Sequence, residues 1–164
     1  MKNYTTRDNC RICESKDLVK ILDLSETPLA NGFLTKDETE KAEEKFPLVV
    51  YFCKNCSLVQ LLDVVDPKIL FGKYHFITSA SKPSVDHFAK FGKELIDNFI
   101  RSKDDLVVDI GGNDGTLLGN LKDFCKILNI EPASNIAEIS AGKGIPTIND
   151  FFSSGLAQKV LNKY

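Results

Sequence analysis

Two cysteine pairs of identical spacing, Cys10/Cys13 and Cys53/Cys56, constrain this 164-residue chain more than any other feature. A C-x-x-C segment turns two thiolates toward one point, and two such segments supply the four ligands of a closed tetrahedral zinc site. The pairs are 39 residues apart, more than the roughly 15–20 of the usual spacing. The residues between them must therefore pack as an insertion. The competing reading is two reduced or redox-active pairs. A redox C-x-x-C belongs just after a strand in a βαβ unit, whereas Cys10 stands near the start of the chain. Four thiolates on one ion leave no open position, so the site predicted is structural, not catalytic. The fifth cysteine, Cys125, lies in an apolar segment and reads as a core residue.

The surroundings of the cysteines suit a small β-rich unit. Residues 18–24, 47–52 and 57–62 read as short strands, and Pro28–Phe33 as a turn-rich loop. The charged stretch 36–45 mixes signs and reads as a solvated helix face. Residues 66–71 suit one helical turn with Pro67 near its start. From Pro83 to Ile100 the apolar positions recur at helical spacing, with Ser81 as the N-cap.

Beyond residue 100 the pattern changes to strand, glycine turn, helix, strand, helix and strand. Residues 106–110 (LVVDI) run into GGNDG, with a helix over 116–124. A strand follows at 126–131, a helix at 133–141, a third strand at 145–148 and the start of another helix. This order predicts a parallel sheet with right-handed crossovers. The expected organisation is a cysteine-bearing domain at 1–80, a linking helix at 81–104 and a partial α/β domain at 105–164.

The glycine turn is the second chemical motif. Asp109 ends the first strand, Gly111 permits the tight turn, and Gly115 lets the helix approach the strand. Asn113 stands where a dinucleotide fingerprint has its second glycine, which disfavours a pyrophosphate. Glu131 follows Gly111 by 20 residues and can accept from both hydroxyls of a ribose. Pro132 stops that strand, and Asp150 with Phe151 follows the third, offering adenine a polar contact and a ring face. The order of these groups points to an adenosine-type cofactor. The alternatives are a nicotinamide dinucleotide and a plain βα turn of any α/β domain.

Composition excludes other classes. Acidic residues outnumber basic ones, 23 to 21, so the basic footprint of a nucleic-acid binder is missing. No apolar run approaches the roughly 18 residues of a membrane span. The first residues carry no apolar leader region, and the expectation is a cytoplasmic protein.

These residues together resemble a known family, the sugar C-methyltransferases with an N-terminal zinc-binding domain. The matching segments are CRIC (10–13), PLANGF (28–33), FPLVVYFCKNCSLVQL (46–61), LFGKYHFITSAS (70–81), DHF (86–88), DIGGNDGTLL (109–118), EPA (131–133) and GIPTINDFF (144–152). The resemblance implies an α/β fold, a small zinc-binding domain followed by the first half of a Rossmann-like class I methyltransferase domain. It implies S-adenosylmethionine as cofactor, structural zinc on Cys10, Cys13, Cys53 and Cys56, and a nucleotide-linked keto-sugar as substrate. Gly111, Asn113, Asp114 and Gly115 match the cofactor turn, and Glu131 matches the ribose ligand. The chemistry implied is removal of the proton α to the sugar carbonyl, then attack of the enolate on the sulfonium methyl. Tyr74 matches a tyrosine segment that reaches the substrate. The usual pattern there is Tyr-x-Tyr, but here it is Tyr74-His75-Phe76. The general base is expected beyond residue 164. His75 and His87 are candidates for a role or for plain surface positions.

The resemblance covers an N-terminal portion only, so the first strand of the sheet is expected to have an open edge. The expectation is either a truncated chain, or one whose edge is covered by a second chain completing the sheet or by self-association. The alternative functions are a non-catalytic zinc module that recognises a partner or nucleotide-sugar, and an α/β dehydrogenase fragment. The position of Asn113 argues against the latter.

Overall fold

The structure is a computed structural model, described here for residues 2–164. It is mixed α/β and divides into two compact units, Met1–Leu70 and Phe71–Tyr164. Residues 71–80 thus fall in the second unit, together with the long helix that follows them.

The first unit is built from short antiparallel strands. β1 (Tyr4–Thr6) pairs with β5 (Asp63–Val65). β2 (Leu18–Thr27), β3 (Phe46–Cys53) and β4 (Val59–Leu61) form a second sheet in the order β2-β3-β4. Its register places Leu18 opposite Cys53 and Tyr51 opposite Gln60. β2 slips register twice, after Lys20 and after Asp23. Few side chains are buried in this unit. Cys10, Phe46, Cys53 and Leu62 are the hydrophobic ones, and Ile21, Leu22 and Leu24 on β2 are about half exposed.

The charged segment 36–45 is not the helix its composition suggests. It turns over 36–40 and runs irregularly to 45; Glu38 closes the turn, its carboxylate accepting from Thr35 N at 2.8 Å and Thr35 Oγ1 at 2.6 Å. A nucleated turn propagates only when an apolar stripe pulls it onto a core. This segment has no such stripe.

The second unit has a conventional core. After α1 (Pro67–Phe71) and a 3-10 turn at Thr78–Ala80 comes α2 (Lys82–Asn98). Ser81 occupies the N-cap position of α2, but its side chain makes no capping bond. β6 (Leu106–Ile110), β7 (Lys126–Ile130) and β8 (Thr147–Ile148) form a parallel sheet in that order. α3 (Thr116–Gly119), α4 (Ser134–Gly142) and α5 (Ser154–Lys163) complete the alternation. This is the Rossmann-like half expected.

α3 is shorter than its pattern predicts. After Gly119 the chain continues in turns to Phe124, and Asn120 N bonds Leu117 O in a three-residue step. Leu118 and Leu121 are nevertheless fully buried, in a cluster with Cys125, Ile127 and Ile145 that also receives Leu95, Ile96 and Ile100. A second cluster joins Leu128 and Ile130 of β7 to Leu156 and Val160 of α5. Cys125 is thus a core residue, as its setting suggested. Among the described strands β6 pairs with β7 alone, and Ile110 at its end is 55% exposed. No helix of the described residues is long and apolar enough to cross a membrane.

Candidate metal centre and nucleotide cleft

The two cysteine pairs fold as near copies of one turn. In the first, Glu14 N donates to Cys10 O at 3.0 Å and Cys10 N to Ser15 O at 2.9 Å. In the second, Ser57 N donates to Cys53 O at 2.8 Å and Cys53 N to Leu58 O at 2.9 Å. Both turns end on a residue of positive φ, Glu14 at 60° and Ser57 at 62°. For residues other than glycine that conformation is strained, and it recurs where the chain must swing two sulfurs inward.

The four sulfurs converge. Cys10 Sγ lies 3.6 Å from Cys56 Sγ, and Cys13 Sγ lies 3.6 Å from Cys53 Sγ. All four lie within 4.8 Å of one another. A tetrahedron with metal–sulfur bonds of about 2.3 Å has sulfur–sulfur edges of about 3.8 Å, so the cage fits zinc. All four cysteines are free thiols.

Their electrostatics point the same way. The Cys13 N–H above all, then that of Ile12, brings the Cys10 thiol down to about 6 against the cost of its burial. At Cys56 the Leu58 N–H favours the thiolate, but the other three cysteines and burial push the group up to about 12. One thiolate forms readily, and the next is opposed by its neighbours. A divalent cation at the centre removes that opposition.

The second unit carries the cleft. At the carboxyl ends of β6 and β7 the chain makes the turn Gly111–Gly115. Asn113 adopts φ 51° and Gly115 φ 74°. A side chain at Gly115 would meet Ile145 Cγ1 and Ser140 Oγ, each at 2.9 Å. The close neighbours at Gly115 are thus α4 and the approach to β8, not the strand before the turn. Gly112 has an equally firm reason that the motif alone does not reveal. A Cβ at this position would lie 2.5 Å from Asn129 Oδ1 and 2.6 Å from Asp109 Cγ.

A cavity of about 180 Å³ opens beside the turn, lined by Asp109, Gly111, Gly112, Asn113 and Thr116, with Phe88 and Phe91 of α2 among the other walls. Burial raises the Asp109 carboxyl above its usual value, and the charge of Glu131 adds to this. Glu131 itself is buried. Its oxygens accept from Asn113 N at 3.0 Å and Ala133 N at 2.9 Å. The carboxylate therefore braces the turn, with lone pairs remaining for a ligand. Pro132 is half-buried, Asp150 is exposed and Phe151 is half-buried. Asp150 accepts from Phe151 N at 2.8 Å, and neither residue is among those lining the cavity.

Two residues expected at the cofactor turn spend their side chains elsewhere. Asn113 Oδ1 accepts from Thr78 N and Oγ1 at 2.9 and 3.0 Å, and Asn113 Nδ2 donates to Phe76 O at 3.0 Å. Asp114, fully buried, accepts from Lys143 Nζ at 2.6 Å, Thr116 Oγ1 at 2.6 Å and Ser79 N at 3.3 Å. Both fasten segment 76–79 to the turn. Burial raises the Asp114 carboxyl, but these bonds outweigh it and bring the group down to about 2.

Asn135 fastens the same segment further back, accepting from Tyr74 N at 3.1 Å and donating to Tyr74 O at 2.7 Å. Tyr74 is half-buried, with its ring 6.3 Å from that of Phe71. His87 is exposed on α2, stacked with Phe91 at 6.5 Å. Asn129, Asn135 and Lys143 escape a reading of motifs. The one local signal is at Asn129, a polar residue within the apolar run 126–130.

Residues 10–71 match the family described as "Putative zinc binding domain", the span that holds all four converging cysteines. The particular relative follows. Over 158 residues, 96% of this chain, the sequence is 28% identical to the C-methyltransferase NovU of Streptomyces niveus. The chain spans 38% of that protein's length, its N-terminal portion.

Proposed function

We propose that this chain is the zinc-bearing and cofactor-binding part of an S-adenosylmethionine-dependent C-methyltransferase. The likeness to a C-methyltransferase along nearly the whole chain carries this reading. The cleft supports it. Acceptors fit for an adenosine-type group, Asp109 and Glu131, end adjacent parallel strands at a glycine turn, outside the carboxyl ends where such sheets bind ligands.

S-adenosylmethionine would supply an electrophilic methyl group. The chain's own residues do the rest. Asp109 and the open backbone at Gly111 hold the adenosine part, Gly112 keeps the floor free of a side chain, and Glu131 accepts from the ribose while bracing the Asn113 N–H. Phe88 and Phe91 wall off water. The acceptor proposed is a nucleotide-linked keto-sugar that reacts as its enolate. Tyr74, held at both its N–H and C=O by Asn135, is the hydrogen-bond donor to the enolate oxygen. The zinc cage has a structural role, because four cysteines fill its coordination.

The test is calorimetric titration of the zinc-quantified protein with S-adenosylhomocysteine. Saturable binding that Asp109→Ala abolishes is expected. Absence of binding to a folded, zinc-loaded chain would leave the second reading, a zinc module without catalytic competence.

A further inference from the structure

Gln60 sits in the middle of β4, between Val59 and Leu61, which are 56% and 38% exposed, yet is itself only 6% exposed. Strand alternation places it on the covered side. An amide buried there is costly unless both its ends are bonded. One end is. Gln60 Oε1 accepts from the backbone N–H of Arg11 at 3.1 Å, inside the first cysteine turn. The Arg11 guanidinium ties that turn to the same strand through Leu61 O at 2.6 Å.

The other end is not. Gln60 Nε2 is buried without a full hydrogen bond among the described residues. The Arg11 N–H settles which end of the amide is which, because a flipped amide would set two donors face to face. The unmatched donor is therefore fixed beside the turn whose fully buried sulfur is Cys10.

We propose that Gln60 is a positioning residue of the metal centre, its side-chain N–H donating to the Cys10 thiolate when the four cysteines hold an ion. The inference rests on the zinc reading above. A metal-bound thiolate keeps acceptor capacity, and a fixed donor both orients the sulfur and moderates its charge. The strand needs no amide at this position for its packing, since a methionine has much the same length.

The experiment compares wild type with Gln60→Met, which removes both amide ends, and Gln60→Glu, which keeps the acceptor for Arg11 and removes the N–H donor. Zinc per chain is measured first, then affinity by competition with a chromogenic chelator, then the sulfur-to-cobalt charge-transfer spectrum of the cobalt form. Both variants are expected to bind one ion per chain about tenfold or more weaker, with a shifted charge-transfer band. In wild type loaded with cadmium-113, a correlation is expected between the Gln60 side-chain amide proton and the metal. This last measurement needs no variant and decides the matter if neither variant folds. Affinity and spectrum equal to wild type, or no correlation in the cadmium form, would overturn the role of Gln60 and leave the zinc site standing. A wild-type chain that binds no zinc would overturn both.

Discussion

The two units of this chain hold together by different means. The first, Met1–Leu70, buries four hydrophobic residues among those described, two of them the cysteines Cys10 and Cys53. The second, Phe71–Tyr164, contains both hydrophobic clusters, with Leu118, Leu121 and Ile136 fully buried. A unit of about 70 residues with so small a core needs a staple, and the sulfur cage is the one available. The second unit gains its order from apolar burial, and this leaves its polar groups free to shape a cleft. Metal dependence should thus be confined to one unit and sensitivity to packing to the other.

Cys53→Ser removes a fully buried ligand. Structural zinc is worth about 10–16 kcal/mol in small zinc domains, so the variant should lose zinc by elemental analysis and lose dispersion of the amide resonances of residues 2–70. Resonances of the second unit should persist. A variant that keeps one tightly bound zinc would break the comparison at its base.

Leu118→Ala should do the converse. It empties a fully buried position and is expected to cost about 2–5 kcal/mol, read as a lower midpoint in denaturant for the second unit with zinc per chain unchanged.

Gly112→Ala sharpens the distinction between core and cleft. Its Cβ would press on Asn129 Oδ1 and the Asp109 carboxyl, an overpacking expected to cost about 1–3 kcal/mol. Binding of S-adenosylhomocysteine should fall further than stability does, because Gly112 itself and Asp109 line the cavity. Equal binding to wild type would remove Gly112 from the cleft.

The smallest effect is acid sensitivity at Asp114. Its folded value, about 2, lies below the ordinary 3.8. The carboxylate therefore contributes stability that is complete above about pH 4 and is lost as pH falls through about 2. Asp114→Asn should flatten the stability profile of the second unit in that window. It should leave zinc binding at neutral pH untouched.

Patterns confined to a few neighbouring residues were legible in the sequence. The two C-x-x-C pairs announce their convergence, and GGNDG announces a strand-to-helix turn, since spacing and glycine chemistry act locally. Elements set by distant partners were not. β1 and β5 are three residues each, too short to show a period, and exist because they pair with one another. The motif places Asn113 and Asp114 at the turn, but it does not show that their side chains bind segment 76–79, through partners some 35 residues away in sequence. Asn135 and Lys143 gave no local signal, lying at a helix start and beside stop glycines. Segment 36–45 shows the opposite failure. Its helical composition had no surface to pack on.

On this reading metal holds the first unit and packing holds the second. Residue-resolved hydrogen exchange of the zinc-loaded protein, before and after a strong chelator, tests it most directly. Protection at β3 and at the two cysteine turns should collapse on chelation, while protection at Leu128 and Ile130 in β7 stays within experimental error. Protection of β3 that survives the chelator, or loss in both units alike, would contradict the account.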